Sequence, residues 1–235
     1  GAYPELPDSF RHLINQLAES PISVEIQSNS EEPAVTVRLT RELVAARVHL
    51  MLYSPDLSSR LPFLIHEGAK GNFIPIANIS EAFGRAVRDQ IYFGMQLSVV
   101  CSEDIPAISD SDILEHTSGT FLGASQIRRF RAFCDEWPAA RLPEEFWEPV
   151  YSDAQVLVIS GDLDPATPPE FGEEVVRHLS AARHLILPNA THMINHPCIN
   201  EITAGFIKKG SNKNLETTCI DEITRPPFFL PPDNH

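Results

Sequence analysis

The spacing of apolar residues along the chain changes near residue 149. Before that point apolar residues recur at helical spacing, most clearly in "TRELVAARVHLMLY" (40–53), where Leu43, Val48 and Met51 lie on one stripe. The segments with a helical pattern are 9–20 with Asp8 as its N-cap, 40–53, 62–71, 79–100 and 125–137, and two short strands at 21–27 and 34–39 are predicted to pair as a hairpin. The first part of the chain is therefore predicted to be mostly helical.

After residue 149 strands and helices alternate. "QVLVIS" (155–160) is a continuous apolar run, which is typical of a parallel strand that is buried on both faces, and "RHLILP" (183–188) is a second strand. Helices are predicted at 168–180, where a proline can start the helix, and at 196–210. This β-α-β-α order predicts the α/β fold class. Two strands do not complete such a sheet, so the pattern predicts the end of a larger α/β domain.

Composition and charge narrow the range of partners. The chain has 235 residues, of which 43% are hydrophobic, and a formal net charge of −14. This charge disfavours nucleic acid and anionic lipid as partners, whereas it says nothing against small substrates. No apolar stretch approaches the roughly 20 residues that cross a bilayer, and the first ten residues lack the pattern of a signal peptide. We therefore expect no membrane span.

Four cysteines lie far apart in the sequence. No C-x-x-C pair occurs among them, which argues against a zinc site or a thioredoxin-type motif, and we expect neither a metal nor another cofactor. Two disulfides would allow three connectivities, of which pairing of nearest neighbours closes the shortest loops. The alternative is four buried free thiols. The residues are Cys101, Cys134, Cys198 and Cys219.

Acidic and imidazole side chains follow the two strands of the second part. Asp162 and Asp164 come directly after "QVLVIS", and His192 follows "RHLILP". Functional groups of open parallel sheets lie beyond the carboxyl ends of strands, and an aspartate beside a histidine there can orient the imidazole and stabilise its charged form. The alternatives are that the aspartates are turn residues or helix caps and that the histidine is an ordinary surface residue.

The sequence around these residues resembles that of a known family. "VLVISGDLDPATPPEFGEEVVRHL" (156–179), "HLILPNATHMINHPCINEITAGFI" (184–207) and "ETTCIDEITRPPF" (216–228) are similar to the C-terminal part of tripeptidyl aminopeptidase-like (TAP-like) α/β-hydrolases, relatives of prolyl aminopeptidases. In the family motif G-x-x-D-P-x-T-P the aspartate is the triad acid, and the family's histidine follows the last strand. The resemblance implies that Asp164 is the acid and His192 the base of a catalytic triad.

The resemblance extends upstream and implies a division into three parts. "AYPEL", the helical segment 39–77 and "SVVCSEDIP" (98–106) are similar to the family's lid and its entry. The implied parts are an entry segment at 1–24, a helical lid at 25–148 and the C-terminal α/β-hydrolase portion at 149–235.

Further roles follow from the same resemblance. Glu103 and Asp104 would bind the protonated α-amine of a substrate, although the alternative is that they are surface charges of a loop. Family members are typically exported, which implies a secreted or periplasmic protein and favours the disulfides Cys101–Cys134 and Cys198–Cys219 over free thiols.

The sequence departs from the family in two ways. Thr191 stands where the family usually has a glycine before the histidine, and the nucleophile motif G-x-S-x-G occurs nowhere in the 235 residues. We therefore expect that the nucleophilic serine and the N-terminal hydrolase half lie on sequence outside this chain, and that the chain alone is inactive.

The function implied is that of a serine hydrolase in its full-length form. The leading hypothesis is an exopeptidase that cleaves short peptides at their N-termini. One alternative is an esterase or lipase that uses the same triad on ester substrates. Another alternative is a binding module, or a remnant, that has no catalytic function.

Overall fold

The computed structural model describes residues 2–27 and 33–231. The chain divides into two compact units, one formed by Gly1–Val48 and Phe63–Phe146 and the other by His49–Pro62 and Trp147–His235. Along the chain the unit changes after residues 48, 62 and 146, so the segment 49–62 clusters with the residues that follow 146.

Helices dominate the described part of the chain, and strands occur in two pairs. The α-helices are α1 (Leu6–Glu19), α2 (Arg41–Met51), α3 (Pro55–Ser58), α4 (Leu61–Ala69), α5 (Ile74–Gln90), α6 (Phe93–Val99), α7 (Asp110–Thr117), α8 (Ser125–Cys134), α9 (Pro169–Val176) and α10 (Pro197–Lys209). The strands are β1 (Ile22–Ile26), β2 (Val35–Leu39), β3 (Val156–Gly161) and β4 (Ala182–Leu187). Short turns of π-helix (Val100–Asp104) and 3₁₀-helix (Ile105–Ala107, Glu144–Trp147, Thr218–Glu222) complete the set. This mixture of helices and parallel strands agrees with the predicted α/β class.

The first unit consists mainly of helices and one antiparallel hairpin. β1 and β2 pair with Ile22 opposite Leu39, as the alternating pattern predicts, and α5 packs against both strands. α1 buries Leu13 and Leu17, which are one helical turn apart, so that its apolar stripe enters the core.

Two predictions about helices in this unit are wrong in detail. α1 begins two residues before Asp8, because Pro7 fits the first turn of a helix, and Asp8 forms an ion pair with Arg11 instead of capping. The single helix predicted at 79–100 is two helices, α5 and α6, and α5 begins earlier, at Ile74. The helix α7, whose start is fixed by a capping box between Ser109 and Asp112, was not predicted from the sequence.

A disulfide between Cys101 and Cys134 braces the first unit. It joins the π-helical turn to the end of α8. The segment after α8 is held nearby, since Trp137 Nε1 donates to Ser98 Oγ at 3.2 Å and the Ala140 N–H donates to Ser102 Oγ at 3.1 Å. The turn that contains Glu103 and Asp104 is thus fixed from two sides.

The second unit is built on the parallel pair β3 and β4. Val156 lies opposite Ala182, and α9 contacts both strands. Asn212 closes the start of the pair, because its side-chain amide donates to Val156 O at 3.1 Å and to Ala181 O at 2.6 Å. The carboxyl ends of the two strands therefore lie side by side at the opposite end.

α10 and the disulfide Cys198–Cys219 cover this strand pair. A buried cluster consists of Leu185 of β4, Cys198 and Ile202 of α10, and Leu215. Both disulfides have the pairing that was favoured in the sequence analysis. Within the described residues every helix is too short or too polar to span a bilayer.

Replacing Cys198 and Cys219 together with alanine is expected to lower the free energy of unfolding by about 2–4 kcal/mol. The disulfide closes a loop over a sequence separation of 21 residues, and its loss releases chain entropy in the unfolded state. Urea denaturation in oxidising and in reducing buffer measures the effect. The variant and the wild type should differ clearly in oxidising buffer and only slightly in reducing buffer; equal stability in oxidising buffer would contradict the prediction.

Candidate active site

The turns after β3 and β4 are bonded to each other through their backbones. The Asp162 N–H donates to Leu187 O and the Leu163 N–H donates to Ala190 O, each at 3.0 Å. Gly161, the last residue of β3, permits this approach, since a Cβ on it would lie 2.5 Å from Ala190 O. The two turns that carry the predicted acid and base are thus held in contact.

Asp164 is a buried carboxylate that accepts several hydrogen bonds. It is 8% exposed. Oδ1 accepts from the backbone N–H groups of Ala166 (2.8 Å) and Thr167 (3.0 Å), and Oδ2 accepts from Thr167 Oγ1 at 2.7 Å. Burial alone raises the pKa of the Asp164 carboxyl, but the hydrogen bonds outweigh burial and hold that pKa below its ordinary value. The Asp164 carboxyl is therefore ionised at neutral pH.

His192 contacts this carboxylate directly. Its Nδ1 lies 3.0 Å from Asp164 Oδ2 and 3.2 Å from Thr167 Oγ1. Because an ionised carboxylate only accepts hydrogen bonds, Nδ1 carries the proton and Nε2 of the neutral ring is left as an acceptor. The imidazole is 40% exposed, and Nε2 makes no hydrogen bond to the part of the chain that the structure describes. The ring thus offers a free basic nitrogen to a reacting group.

The residues on both sides of His192 donate hydrogen bonds to one carbonyl oxygen, that of Tyr53. Thr191 Oγ1 donates to Tyr53 O at 2.6 Å, and the Met193 N–H donates to the same oxygen at 2.8 Å. Thr191 is not among the described non-glycine residues with positive φ, whereas Asn189 in the same turn has φ 61°. The turn therefore needs no glycine at 191, and the threonine that departs from the family pattern adds a hydrogen bond.

Tyr53 also contacts the imidazole through its ring. The ring centroids of Tyr53 and His192 are 5.0 Å apart in an edge-to-face arrangement. Burial raises the pKa of the Tyr53 hydroxyl and the negative charge of Asp164 raises it further, so the phenol stays neutral. Tyr53 and Thr167 are the site residues that sequence reasoning missed. Thr167 lies within the D-P-x-T motif, which could have revealed it, whereas no local pattern marks Tyr53.

The surroundings of the other acidic candidates and of His196 differ from those of this pair. Asp162 is exposed in the turn, which fits a turn residue. His196 caps α10, since its Nδ1 accepts from the Cys198 N–H at 3.3 Å. Glu103, half-buried, and Asp104, exposed, belong to the π-helical turn of the first unit.

A cavity of about 400 Å³ adjoins the turn that carries His192. It is lined by Thr191 and Met193 on one side and by Ser54 and Asp56 on the other, whereas neither Asp164 nor His192 lines it. The acid–base pair therefore lies outside this cavity, with Asp164 buried and the imidazole of His192 partly exposed.

Replacing Gly161 with alanine is expected to lower the free energy of unfolding by about 1–3 kcal/mol, because the new methyl group meets backbone atoms that cannot rotate away. Urea denaturation measures the change. Gly205→Ala in α10 is the matched control, since its Cβ would meet only Leu215 at 3.9 Å, and it should be neutral or stabilising. Equal effects of the two substitutions would show that the close approach of the turns contributes nothing.

Comparison with known proteins places this region in a family. Residues 119–219 match the family model described as TAP-like protein, and the match includes α8, β3, α9, β4 and α10 as well as the Asp164–His192 pair. Comparison with curated proteins and with solved structures gives no match. Residues 119–219 therefore form a TAP-like α/β-hydrolase region.

Proposed function

We propose that Asp164 and His192 are the acid and the base of a Ser-His-Asp triad in an exopeptidase. The observation that carries this proposal is the 3.0 Å hydrogen bond from His192 Nδ1 to Asp164 Oδ2, which leaves Nε2 unbonded among the described residues. The match of the same residues to the TAP-like family supports it.

The roles in the reaction follow from this geometry. A serine hydroxyl attacks the scissile carbonyl, His192 Nε2 takes its proton, and the same nitrogen then gives the proton to the leaving amine. Asp164 holds the ring in the correct tautomer and stabilises the imidazolium that forms. No G-x-S-x-G motif occurs in the 235 residues, so the serine and the oxyanion hole come from a hydrolase half on sequence outside this chain. The chain by itself is then inactive.

The second unit presents features that suit such a partner half. In the described residues β3 and β4 form a sheet of only two strands, so each has a free edge. An isolated parallel bridge between Ser152 and Leu179 joins the residues that precede the two strands. Large apolar side chains are exposed on α9 and on β4 itself, namely Phe171, Val175 and Ile186. Parallel sheets are normally covered on both faces and extended by further strands.

Residues 25–148 act as the lid in this proposal, with 1–24 as its entry and 149–235 as the catalytic portion. Glu103 and Asp104, held by the Cys101–Cys134 disulfide, supply negative charge for the protonated α-amine of a short peptide. The two disulfides fit a secreted or periplasmic location, where thiols are oxidised.

The test uses the complete hydrolase that contains this chain, assayed on short peptide p-nitroanilides with a free or an acetylated amino terminus and on p-nitrophenyl esters. The exopeptidase proposal expects turnover of the free peptides and about tenfold or greater loss on acetylation. Glu103→Gln and Asp104→Asn should raise KM only for free-amine peptides, whereas Glu115→Gln in α7 of the same unit should not. Turnover of esters alone would contradict the exopeptidase proposal and favour an esterase.

A further inference from the structure

A cavity of about 590 Å³ in the first unit is lined by a concentration of positive charge. Arg47 of α2, Arg88 of α5 and Arg129 of α8 line it, and Glu42 is the one carboxylate among its described lining residues. The chain as a whole has a formal net charge of −14. Three guanidinium groups in one cavity of such a chain repel one another, so the arrangement needs a compensating interaction.

Arg47 is the arginine whose surroundings are least favourable for its charge. Its Nε is buried and has no hydrogen-bond partner among the described residues. Burial lowers the pKa of the Arg47 guanidinium and the charge of Arg129 lowers it further, whereas Glu81 opposes both. A Cβ on Gly84 would lie 3.4 Å from Arg88 Nη1, 3.8 Å from Arg47 Nη2 and 3.9 Å from Glu81 Oε2, so the glycine leaves room for both guanidinium groups.

The carboxylates nearby neutralise the cluster only in part. Glu81 Oε1 is shared by Arg88 at 3.2 Å and Arg85 at 3.6 Å. Within residues 2–27 and 33–231, Arg47 and Arg129 form no ion pair with a carboxylate. Arg129 is exposed to solvent, whereas Arg47 is half-buried. The partly desolvated charge of Arg47 is unfavourable without an anion, since burial of a charge costs free energy unless it is paired.

The start of α8 contributes to the same cavity. Ser125 and Gln126, the first residues of this ten-residue helix, line it, and the N-cap residue Ala124 offers no side-chain hydrogen bond. The free backbone N–H groups and the helix dipole at this end favour a negative charge. The start of α8 therefore favours a bound anion, as the arginines do.

We propose that this cavity binds a small anion through a carboxylate or phosphate group, with Arg47 and Arg129 as its charged ligands. The planar guanidinium fork bonds two oxygens of such a group at once, and a bound oxyanion would satisfy Arg47 Nε and remove the repulsion between the two arginines. The lining of the cavity includes neither Asp164 nor His192, so the proposed anion site does not depend on the proposed hydrolase function.

The test measures the Tm of this chain and, by isothermal titration, its binding of sodium phosphate and of sodium succinate, with sodium chloride at equal ionic strength as the reference. A bound anion raises Tm in a saturable way. Arg47→Gln and Arg129→Gln should each weaken binding by about tenfold or more. The matched control is Arg11→Gln in α1 of the same unit, which removes the same charge from an exposed site and should bind as the wild type does.

Two results separate this proposal from a merely structural role of the arginines. Arg129→Gln should keep or raise Tm in chloride, because it removes a like charge, while losing the response to the anion. Binding of phosphate, of succinate or of both anions supports the site. The anion that binds identifies whether a phosphate or a carboxylate group is recognised. Equal Tm in chloride and in both anions, or full binding by both glutamine variants, would overturn the proposal.

Discussion

His192→Ala is expected to lower kcat/KM of the complete hydrolase by about 10⁴-fold or more. Among the described residues, the imidazole is the only base that the site holds next to a buried carboxylate, and its Nε2 is unbonded. Alanine leaves no group in this position to take the proton of the nucleophile. The prediction rests on the proposed triad and is measured by steady-state kinetics on short peptides.

Two controls distinguish a base from a structural residue. His178→Ala changes a histidine that follows α9 in the same unit and contacts Glu174 and Tyr151, and it should leave kcat/KM within a few-fold of the wild type. Added imidazole should restore part of the activity of His192→Ala, because the truncated side chain leaves space for it. Activity of His192→Ala near the wild-type level would exclude His192 as the base.

The β-α-β-α order of the second unit could be predicted because each element carries its own local pattern. β3 and β4 are continuous apolar runs, and α9 begins at a proline. Since the carboxyl ends of neighbouring parallel strands meet at one edge, the order predicts an aspartate beside His192. The choice of Asp164 over Asp162 depended on the resemblance to the TAP-like family. The hydrogen bond at 3.0 Å agrees with that expectation.

Contacts between distant segments could not be predicted. Tyr53 holds Thr191 through its carbonyl oxygen across a sequence separation of 138 residues, and backbone acceptors leave no trace in side-chain patterns. For the same reason the sequence pattern placed 49–62 in the helical region, whereas it clusters with the second unit. Likewise, the cavity with Arg47 and Arg129 forms only where three helices converge.

Asp164→Asn is expected to lower kcat of the complete hydrolase by about 10⁴-fold. The amide keeps the shape of the side chain but removes the negative charge that holds the proton on Nδ1 of His192 and stabilises the imidazolium. Asp162→Asn is the matched control, because it makes the same change two residues earlier on an exposed side chain and should leave kcat within about twofold. Equal losses in the two variants would show that the charge acts through the turn as a whole and not on His192.

The same substitution should change how stability depends on pH. The pKa of Asp164 lies below its ordinary value in the folded chain, because its hydrogen bonds from Thr167 and Ala166 favour the charged form over the cost of burial. This contribution to stability is complete above the unfolded carboxyl pKa of about 3.9 and is lost as pH falls through the folded pKa. Urea denaturation should therefore show Asp164→Asn less stable than the wild type by about 1–3 kcal/mol near pH 6, with the difference shrinking below about pH 4. Asp162→Asn should follow the wild-type profile, and a difference between Asp164→Asn and the wild type that stays constant down to about pH 2 would contradict the assigned direction of the pKa shift.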